Sequence, residues 1–104
     1  MSAYRVAVAD RARTDLAALL TTRFAHRTSS HAKIEFLLHL DSLMEQLSRW
    51  PEASRTSQQF PPVRECIVDR HTIMYYWLAD EVVEILSIQD ARQLQQSPFE
   101  SENE

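Results

Sequence analysis

The segment from residue 64 to residue 93 limits the possible folds more than any other part of this chain. It reads RECIVDRHTIMYYWLADEVVEILSIQDARQ and holds three short apolar runs, at 65–69, 72–78 and 82–88, with short polar stretches between them. Runs of this length that are rich in β-branched and aromatic residues are typical of strands, and short connections join strands in antiparallel pairs. The segment therefore predicts an antiparallel three-stranded meander.

The turns of this meander have to form without glycine, because the chain contains none. Asp69, Arg70 and Asp80 occupy the predicted turn positions. Aspartate tolerates the left-handed backbone region better than most residues, so it is the natural substitute for glycine there. We expect hairpin turns somewhat longer or less tight than glycine would allow.

The first fifty residues predict one strand and two helices. Residues 4–9 alternate in polarity and predict a strand, after which Asp10 is placed to cap a helix. Ser29 or Ser30 is placed to cap a second helix, which Pro51 ends. Apolar residues recur at helical spacing in both segments. They are Leu16, Leu19, Leu20 and Phe24 in the first, and Phe36, Leu40, Leu43, Leu47 and Trp50 in the second.

This order of elements predicts an α+β fold, β-α-α-β-β-β, in which an N-terminal strand and a helical hairpin pack on a small antiparallel C-terminal sheet. Residues 51–62 are predicted to form a loop between the second helix and the sheet. We expect residues 1–96 to form a single domain and residues 97–104 to form an acidic, flexible tail.

Composition excludes several classes of protein. No run approaches the ~20 apolar residues that cross a bilayer, and a single cysteine, Cys66, cannot form an internal disulfide. The net charge is -4, and residues 61–104 hold most of the acidic side chains. We therefore do not expect a basic face that binds nucleic acid electrostatically. The histidines show no metal-ligand spacing. We predict a cytoplasmic domain with no cofactor and no metal, without strong direct binding to nucleic acid.

Four short motifs, in order, resemble the RelE/ParE superfamily of toxins from bacterial type II toxin-antitoxin (TA) systems, which includes plasmid stabilisation proteins. Ala12 with Asp15-Leu16 is similar to the opening of the family's first helix. Leu47-x-x-Trp50-Pro51-Glu52 is similar to the end of its second helix. Arg64, Val68, Ile73 and Tyr75 fall at its central strands, and EILSIQDARQ is similar to its closing strand. The resemblance runs from about residue 4 to residue 93.

The resemblance implies one of two targets. ParE-like members poison DNA gyrase and need a protein-binding surface, whereas RelE-like members cleave mRNA on the ribosome and need cations and acid-base groups around the phosphate. For RelE-like cleavage the candidate residues are Arg64, Arg70, His71, Tyr75 and Arg92. Where many members carry Gly-Asn-Tyr-Arg between two strands, this chain has Asp69-Arg70-His71-Thr72. An acidic chain with few cations favours the ParE-like branch, with Arg64 and Arg92 as target-binding residues.

The resemblance also implies a partner, an antitoxin that wraps the helical hairpin. Ile34, Leu37 and Met44 widen the apolar stripe of the second helix and are the predicted antitoxin-binding residues. Three alternatives follow for function: a ParE-like gyrase poison, a RelE-like ribosome-dependent mRNA endonuclease, or a non-toxic binding module on the same fold. The sequence leaves the oligomeric state open.

Overall fold

The computed structural model describes residues 3–24, 30–93 and 97–99. Its elements, in chain order, are β1 (Arg5–Val8), α1 (Asp10–Arg23), α2 (Ser30–Arg49), β2 (Arg64–Asp69), β3 (Thr72–Ala79) and β4 (Val82–Asp90). The predicted β-α-α-β-β-β order and the α+β class are confirmed.

All four strands belong to one sheet, in the order β1-β4-β3-β2. The three C-terminal strands form the predicted antiparallel meander. β1 lies parallel to β4 along the opposite edge, with Arg5 beside Val82 and Val8 beside Ile85. The N-terminal strand is thus part of the sheet rather than packed on it.

The turns of the meander are tighter than expected. Only Arg70 and His71 separate β2 from β3, and only Asp80 and Glu81 separate β3 from β4. Asp80 adopts φ 58°, the left-handed conformation that aspartate tolerates. The Asp69 carboxylate accepts a hydrogen bond from the backbone N–H of His71 at 2.9 Å, which closes the other turn. The expectation of longer hairpins was therefore wrong, because aspartate side chains and one left-handed residue replace glycine.

The predicted cap of α1 was also wrong. Ala9 occupies the N-cap position without a side-chain cap, and Asp10 is the first helical residue. A carboxylate in the first turn still interacts favourably with the positive end of the helix dipole. Ser30 is the first residue of α2, and Ser29 lies outside the described residues.

The main core lies between the helices and one face of the sheet. α1 packs on β4, whereas α2 packs on β1 and β2. From the helices the core takes Ala12, Phe36, Leu40 and Leu47, with the predicted α1 leucines partly buried around them. Trp50 is exposed, so its assignment to the stripe was wrong. Since α2 ends at Arg49, ahead of Pro51, Trp50 no longer follows the helical register.

A second, smaller cluster occupies the opposite face of the sheet, which we call the outer face. It consists of Val63, Tyr75 and Leu86, flanked by the partly buried Phe60, Ile73 and Trp77. The register of β3 and β4 shifts where Tyr75 lies opposite Ser87 and Tyr76 lies opposite Ile85, so Leu86 has no opposing residue. Tyr75 and Tyr76, as consecutive residues of β3, are buried on opposite faces.

Within the described residues, neither helix is both long and apolar enough to cross a membrane.

Candidate functional site

One end of the sheet gathers polar side chains from four elements. Thr72, the first residue of β3, lies opposite Asp90, the last residue of β4. The backbone N–H of Ala91 donates to the carbonyl of His71 at 2.8 Å, which ties the β2–β3 turn to the chain after β4. The backbones of the β2–β3 turn, which holds Arg70 and His71, and of the segment with Arg92 are therefore close in the fold. We call the residues Arg23, Asp69, Thr72, Asp90 and Arg92 the turn cluster.

Arg23, in the last turn of α1, links the helices to this end of the sheet. Its Nη1 lies 3.0 Å from an Asp69 carboxylate oxygen, and its Nη2 donates to the Thr72 hydroxyl at 2.8 Å. Its guanidinium carbon lies 5.2 Å from the centre of the Phe36 ring, within the range of a cation–π contact. Arg23 thus orients the β2–β3 turn against both helices, a role that sequence reasoning missed.

Asp69 is held in its charged form. Partial burial would raise the pKa of this carboxyl, but hydrogen bonds from the His71 N–H and the Thr72 hydroxyl, together with the Arg23 charge, lower it below its usual value. The turn is therefore most stable when Asp69 is ionised.

Arg92 is paired with its near neighbour in sequence. Its Nε and Nη2 lie 3.1 and 2.9 Å from the two carboxylate oxygens of Asp90, and its backbone N–H donates to the same carboxylate at 2.9 Å. These hydrogen bonds lower the pKa of Asp90 to about 2 and raise the pKa of Arg92. The side chain of Arg92 is 60 % exposed, so it faces solvent while its charge is balanced.

A groove of about 230 Å³ separates α1 from the last residues of β4. Three arginines line it, and each is paired with an aspartate: Arg11 with Asp15, Arg23 with Asp69, and Arg92 with Asp90. Ala18, Leu19 and Ile88 add apolar surface. The groove can accept an extended chain with mixed polar and apolar side chains better than a polyanion, because its positive charges are already balanced.

Asp15 closes the edge of β4 where β1 ends. β1 pairs with β4 as far as Ile85. Beyond it, one carboxylate oxygen of Asp15 accepts hydrogen bonds from the Ile88 N–H at 3.1 Å and the Ser87 hydroxyl at 2.7 Å. Asp15, which forms part of the motif in the first helix, thus satisfies a backbone donor that a longer β1 would have paired.

Arg64 lies away from the turn cluster. It is opposite Tyr76, four residues along β3 from Thr72, or ~13 Å at the rise of a strand. Its Nη1 donates to the carbonyls of Ser54 at 2.6 Å and Glu52 at 3.4 Å. Arg64 therefore fixes the loop after α2, and this contact accounts for an arginine at the start of β2.

Tyr75 is buried on the outer face with 1 % of its surface exposed. Burial and the nearby Glu65 carboxylate raise the pKa of its hydroxyl. Its ring meets Phe60 edge-on, with the ring centres 5.7 Å apart. Of the five residues predicted for RelE-like cleavage, the fold thus brings together Arg70, His71 and Arg92 and separates Arg64 and Tyr75 from them.

His71 has a ring nitrogen, Nδ1, that is buried without a hydrogen-bond partner among the described residues. Its backbone groups are used by the turn and by Ala91. In activated nucleophile–base pairs the base is itself oriented by a third group. Within residues 3–24, 30–93 and 97–99 no carboxylate does this for His71.

The predicted antitoxin-binding residues lie along α2. Ile34 is 52 % exposed, whereas Leu37 and Met44 are partly buried and pack against the main core. Leu38, one turn after Ile34, is 64 % exposed and was missed by the sequence reasoning. The i, i+4 spacing of Ile34 and Leu38 was the signal that could have found this exposed apolar pair.

No group of three histidine, cysteine, aspartate or glutamate side chains lies close enough to bind a metal ion in the part of the chain that is described. The single thiol, Cys66, is buried in the main core, and this burial raises its pKa although a hydrogen bond with Ser54 opposes the shift.

The fold of the chain is similar to that of several solved structures, among them one of a TA system and one of a toxin. A structure of a chromosomal ParDE TA system from P. aeruginosa aligns with TM-score 0.69 and 13 % identity over 84 % of this chain and 95 % of that one. YafQ from E. coli strain BL21(DE3) aligns with TM-score 0.58 and 14 % identity over 86 % and 94 %. A copper-bound mutant toxin from Helicobacter pylori aligns with TM-score 0.54 and 15 % identity over 88 % and 99 %.

A scan against protein-family profiles matches none of them, and a search of curated protein sequences finds no significant relative. The structural alignments extend over most of this chain and nearly all of each compared chain. The predicted fold, that of the RelE/ParE toxins, is therefore confirmed.

Proposed function

We propose that this chain, which has the RelE/ParE fold, is the toxin of a bacterial type II TA system and acts in the cytoplasm under the control of an antitoxin. The observation that carries the proposal is the alignment with the ParDE structure over 84 % of this chain. The motif residue Asp15 supports it, since this residue has a specific structural task at the edge of β4.

We further propose that the target is DNA gyrase. Cleavage of RNA needs cations that are available to stabilise a negatively charged transition state. Here Arg23 and Arg92 are balanced by Asp69 and Asp90, and Arg64 holds the loop after α2. Tyr75 is buried. A surface that binds a protein does not require a set of available cations. This difference favours the ParE-like branch, with Arg92 as the exposed target-binding residue.

Inducible expression in a bacterial host tests both proposals. Growth is scored while the same cells are assayed for gyrase-linked DNA breaks and for mRNA cuts at the ribosomal A site. Growth arrest with breaks and without cuts is expected. Cuts without breaks would overturn the gyrase target and direct attention to Arg70, His71 and Arg92, which the fold brings together. A folded chain that leaves growth unaffected would instead be the non-toxic binding module.

The Arg92→Ala variant tests the target-binding residue, and Arg49→Ala is a matched control. Both arginines are about equally exposed, at 60 % and 59 %, and each contacts a carboxylate at 2.9 Å. We expect Arg92→Ala to weaken growth arrest and Arg49→Ala to leave it unchanged at equal protein level. Equal arrest by both variants would remove Arg92 from the proposed target-binding site.

A further inference from the structure

The outer face of the sheet is covered by loops rather than by a helix in the described part of the chain. Both helices pack on the other face. On the outer face, Phe60 covers Tyr75, and Phe99 covers Trp77 with the ring centres 5.1 Å apart and the rings inclined by 64°. The second cover comes from residues 97–99, which we call the strap.

Two contacts between described residues hold the strap in place. The carbonyl of Ser97 accepts a hydrogen bond from Nη1 of Arg11 at 2.8 Å, and the ring of Phe99 packs against Trp77. Pro98 between them is buried. Arg11 is in the first turn of α1, which packs on β4, and Trp77 is in β3. Because β3 lies next to β4 in the sheet, the strap crosses β4.

The strap can reach this position without tension. Trp77 lies opposite Glu84, six residues before the end of β4, or ~20 Å along the strand. The nine residues from 91 to 99 can extend over at most ~30 Å. The chain after β4 is therefore long enough for the strap to reach Trp77.

Apart from the burial of Pro98, the contacts of the strap are accessible to solvent, which favours opening. The hydrogen bond between Arg11 and Ser97 is exposed to solvent, and Phe99 keeps 44 % of its surface exposed. Among the residues described, no strand pairing joins the strap to the sheet. Segments with few buried contacts and exposed hydrogen bonds open far more often than the rest of a domain.

Arg11 and Trp77, which the strap contacts, are of the residue types that dominate protein-binding hot spots. Trp77 is also held in a defined orientation, because its Nε1 donates to the Glu84 carboxylate at 2.8 Å. The predicted antitoxin-binding residues are on α2, on the other side of the sheet. An antitoxin bound to α2 would leave Trp77, on the outer face, available to a different protein.

We propose that the strap is an autoinhibitory segment: it occupies, within the molecule, a protein-binding surface formed by Arg11 and Trp77, and its opening exposes that surface to the target of the proposed toxin. The proposal rests on the toxin function argued above. We expect the target to bind this surface through an extended segment. In that segment one backbone carbonyl would accept a hydrogen bond from Arg11, and the residue two positions later would be aromatic, just as Phe99 follows Ser97 in the strap.

Fluorescence of Trp77 tests the closed strap independently of toxicity. In a Trp50→Phe background Trp77 is the sole tryptophan, and its quenching by acrylamide is compared with and without Phe99→Ala. Loss of the aromatic pair is expected to raise the open fraction roughly two- to tenfold and to increase quenching accordingly. Phe99→Leu, which keeps an apolar side chain, should quench less than Phe99→Ala. Circular dichroism checks that each variant is folded.

Growth arrest by the same variants, at matched protein level, tests the inhibition. Phe99→Ala should arrest growth at a lower inducer concentration than the wild type, with Phe99→Leu between them. Unchanged quenching would show that the strap does not cover Trp77. Increased quenching with unchanged or weaker arrest would show that the strap is not inhibitory. Failure of every variant to arrest growth would refute the toxin function and with it the inhibitory role, while the quenching would still report whether the strap is closed.

Discussion

Arg23 is the residue on which the geometry of the turn cluster depends most. It is partly buried and contacts Asp69, Thr72 and Phe36 together. A lysine at this position cannot reproduce two parallel N–H donors, since its ammonium is a point charge. Both the planar shape and the charge of the Arg23 guanidinium are therefore needed at this position.

We expect Arg23→Ala to lower the free energy of unfolding by about 1–3 kcal/mol, because it removes two hydrogen bonds and leaves the buried Thr72 hydroxyl without this donor. Arg23→Lys should recover only part of the loss. Urea denaturation measures the effect, and Arg70→Ala in the exposed turn is the control, with a change within about 0.5 kcal/mol. An equal effect of both substitutions would contradict the role assigned to Arg23.

The carboxyl of Asp90 should titrate with a pKa of about 2, below its ordinary value of 3.8, and Arg92→Ala should return it towards that value. Since the folded-state pKa is depressed, the stabilisation is fully present above the ordinary value and is lost as the pH falls from 3.8 towards 2. NMR titration of the side-chain carboxyl measures this. A pKa that does not respond to Arg92→Ala would show that the pair does not form in solution.

At the scale of elements, the junction of β1, α1 and β4 depends on Asp15. β1 pairs with only part of β4, and α1 covers the edge beyond it. We expect Asp15→Ala to cost about 2–4 kcal/mol, because the Ile88 N–H and the Ser87 hydroxyl lose a charged acceptor in a buried position. Thermal or urea unfolding measures the loss, and Thr14→Ala, at the exposed neighbouring position of α1, is the matched control.

A second experiment with Asp15→Ala distinguishes loss of the Asp15–Ser87 hydrogen bond from a general loss of helix stability. In a Ser87→Ala background, Asp15→Ala should cost less than in the wild type, since one of the two hydrogen bonds is already absent. Strict additivity of the two substitutions would indicate that Asp15 does not act through Ser87.

The exposed face of α2 offers a test of the antitoxin partner. Replacing both Ile34 and Leu38 by serine should change the free energy of unfolding by no more than about 0.5 kcal/mol per site, because both side chains are exposed. If this face binds the antitoxin, the double variant should arrest growth even when its antitoxin is co-expressed. Full protection by the antitoxin would place its binding surface elsewhere.

At the scale of the whole molecule, Cys66 reports on opening of the core between helices and sheet. Its side chain is buried in the main cluster, and the pKa of its thiol is raised by that burial. We expect it to react with a disulfide reagent at least about a hundredfold more slowly than a free cysteine, because reaction requires the sheet and α2 to separate. Urea below the unfolding midpoint should accelerate the reaction. Rapid reaction of the folded protein would show that this core opens locally.

Much of the fold follows from local patterns. The alternation in residues 4–9, the helical spacing in residues 10–49 and the three apolar runs from 65 to 88 each match an element of the structure. These predictions succeed because the period of apolar residues reflects which face of one element is buried. The candidate site was less predictable. Arg70, His71 and Arg92 converge because their strands are adjacent in sequence, whereas Arg23 and Asp15 act through contacts with residues more than forty positions away.

The sequence by itself determined the class and order of the elements and the use of aspartate in turns that lack glycine, because these depend on neighbouring residues along the chain. Only the tertiary structure decided the strand order, the parallel pairing of β1 with β4 and the register shift that leaves Leu86 without an opposing residue. It also decided that Arg64 holds a loop and that residues 97–99 lie over Trp77. Such contacts join residues that are distant in the chain. Which of them form depends on the free energy of packing of the whole molecule, and local sequence patterns do not contain this information.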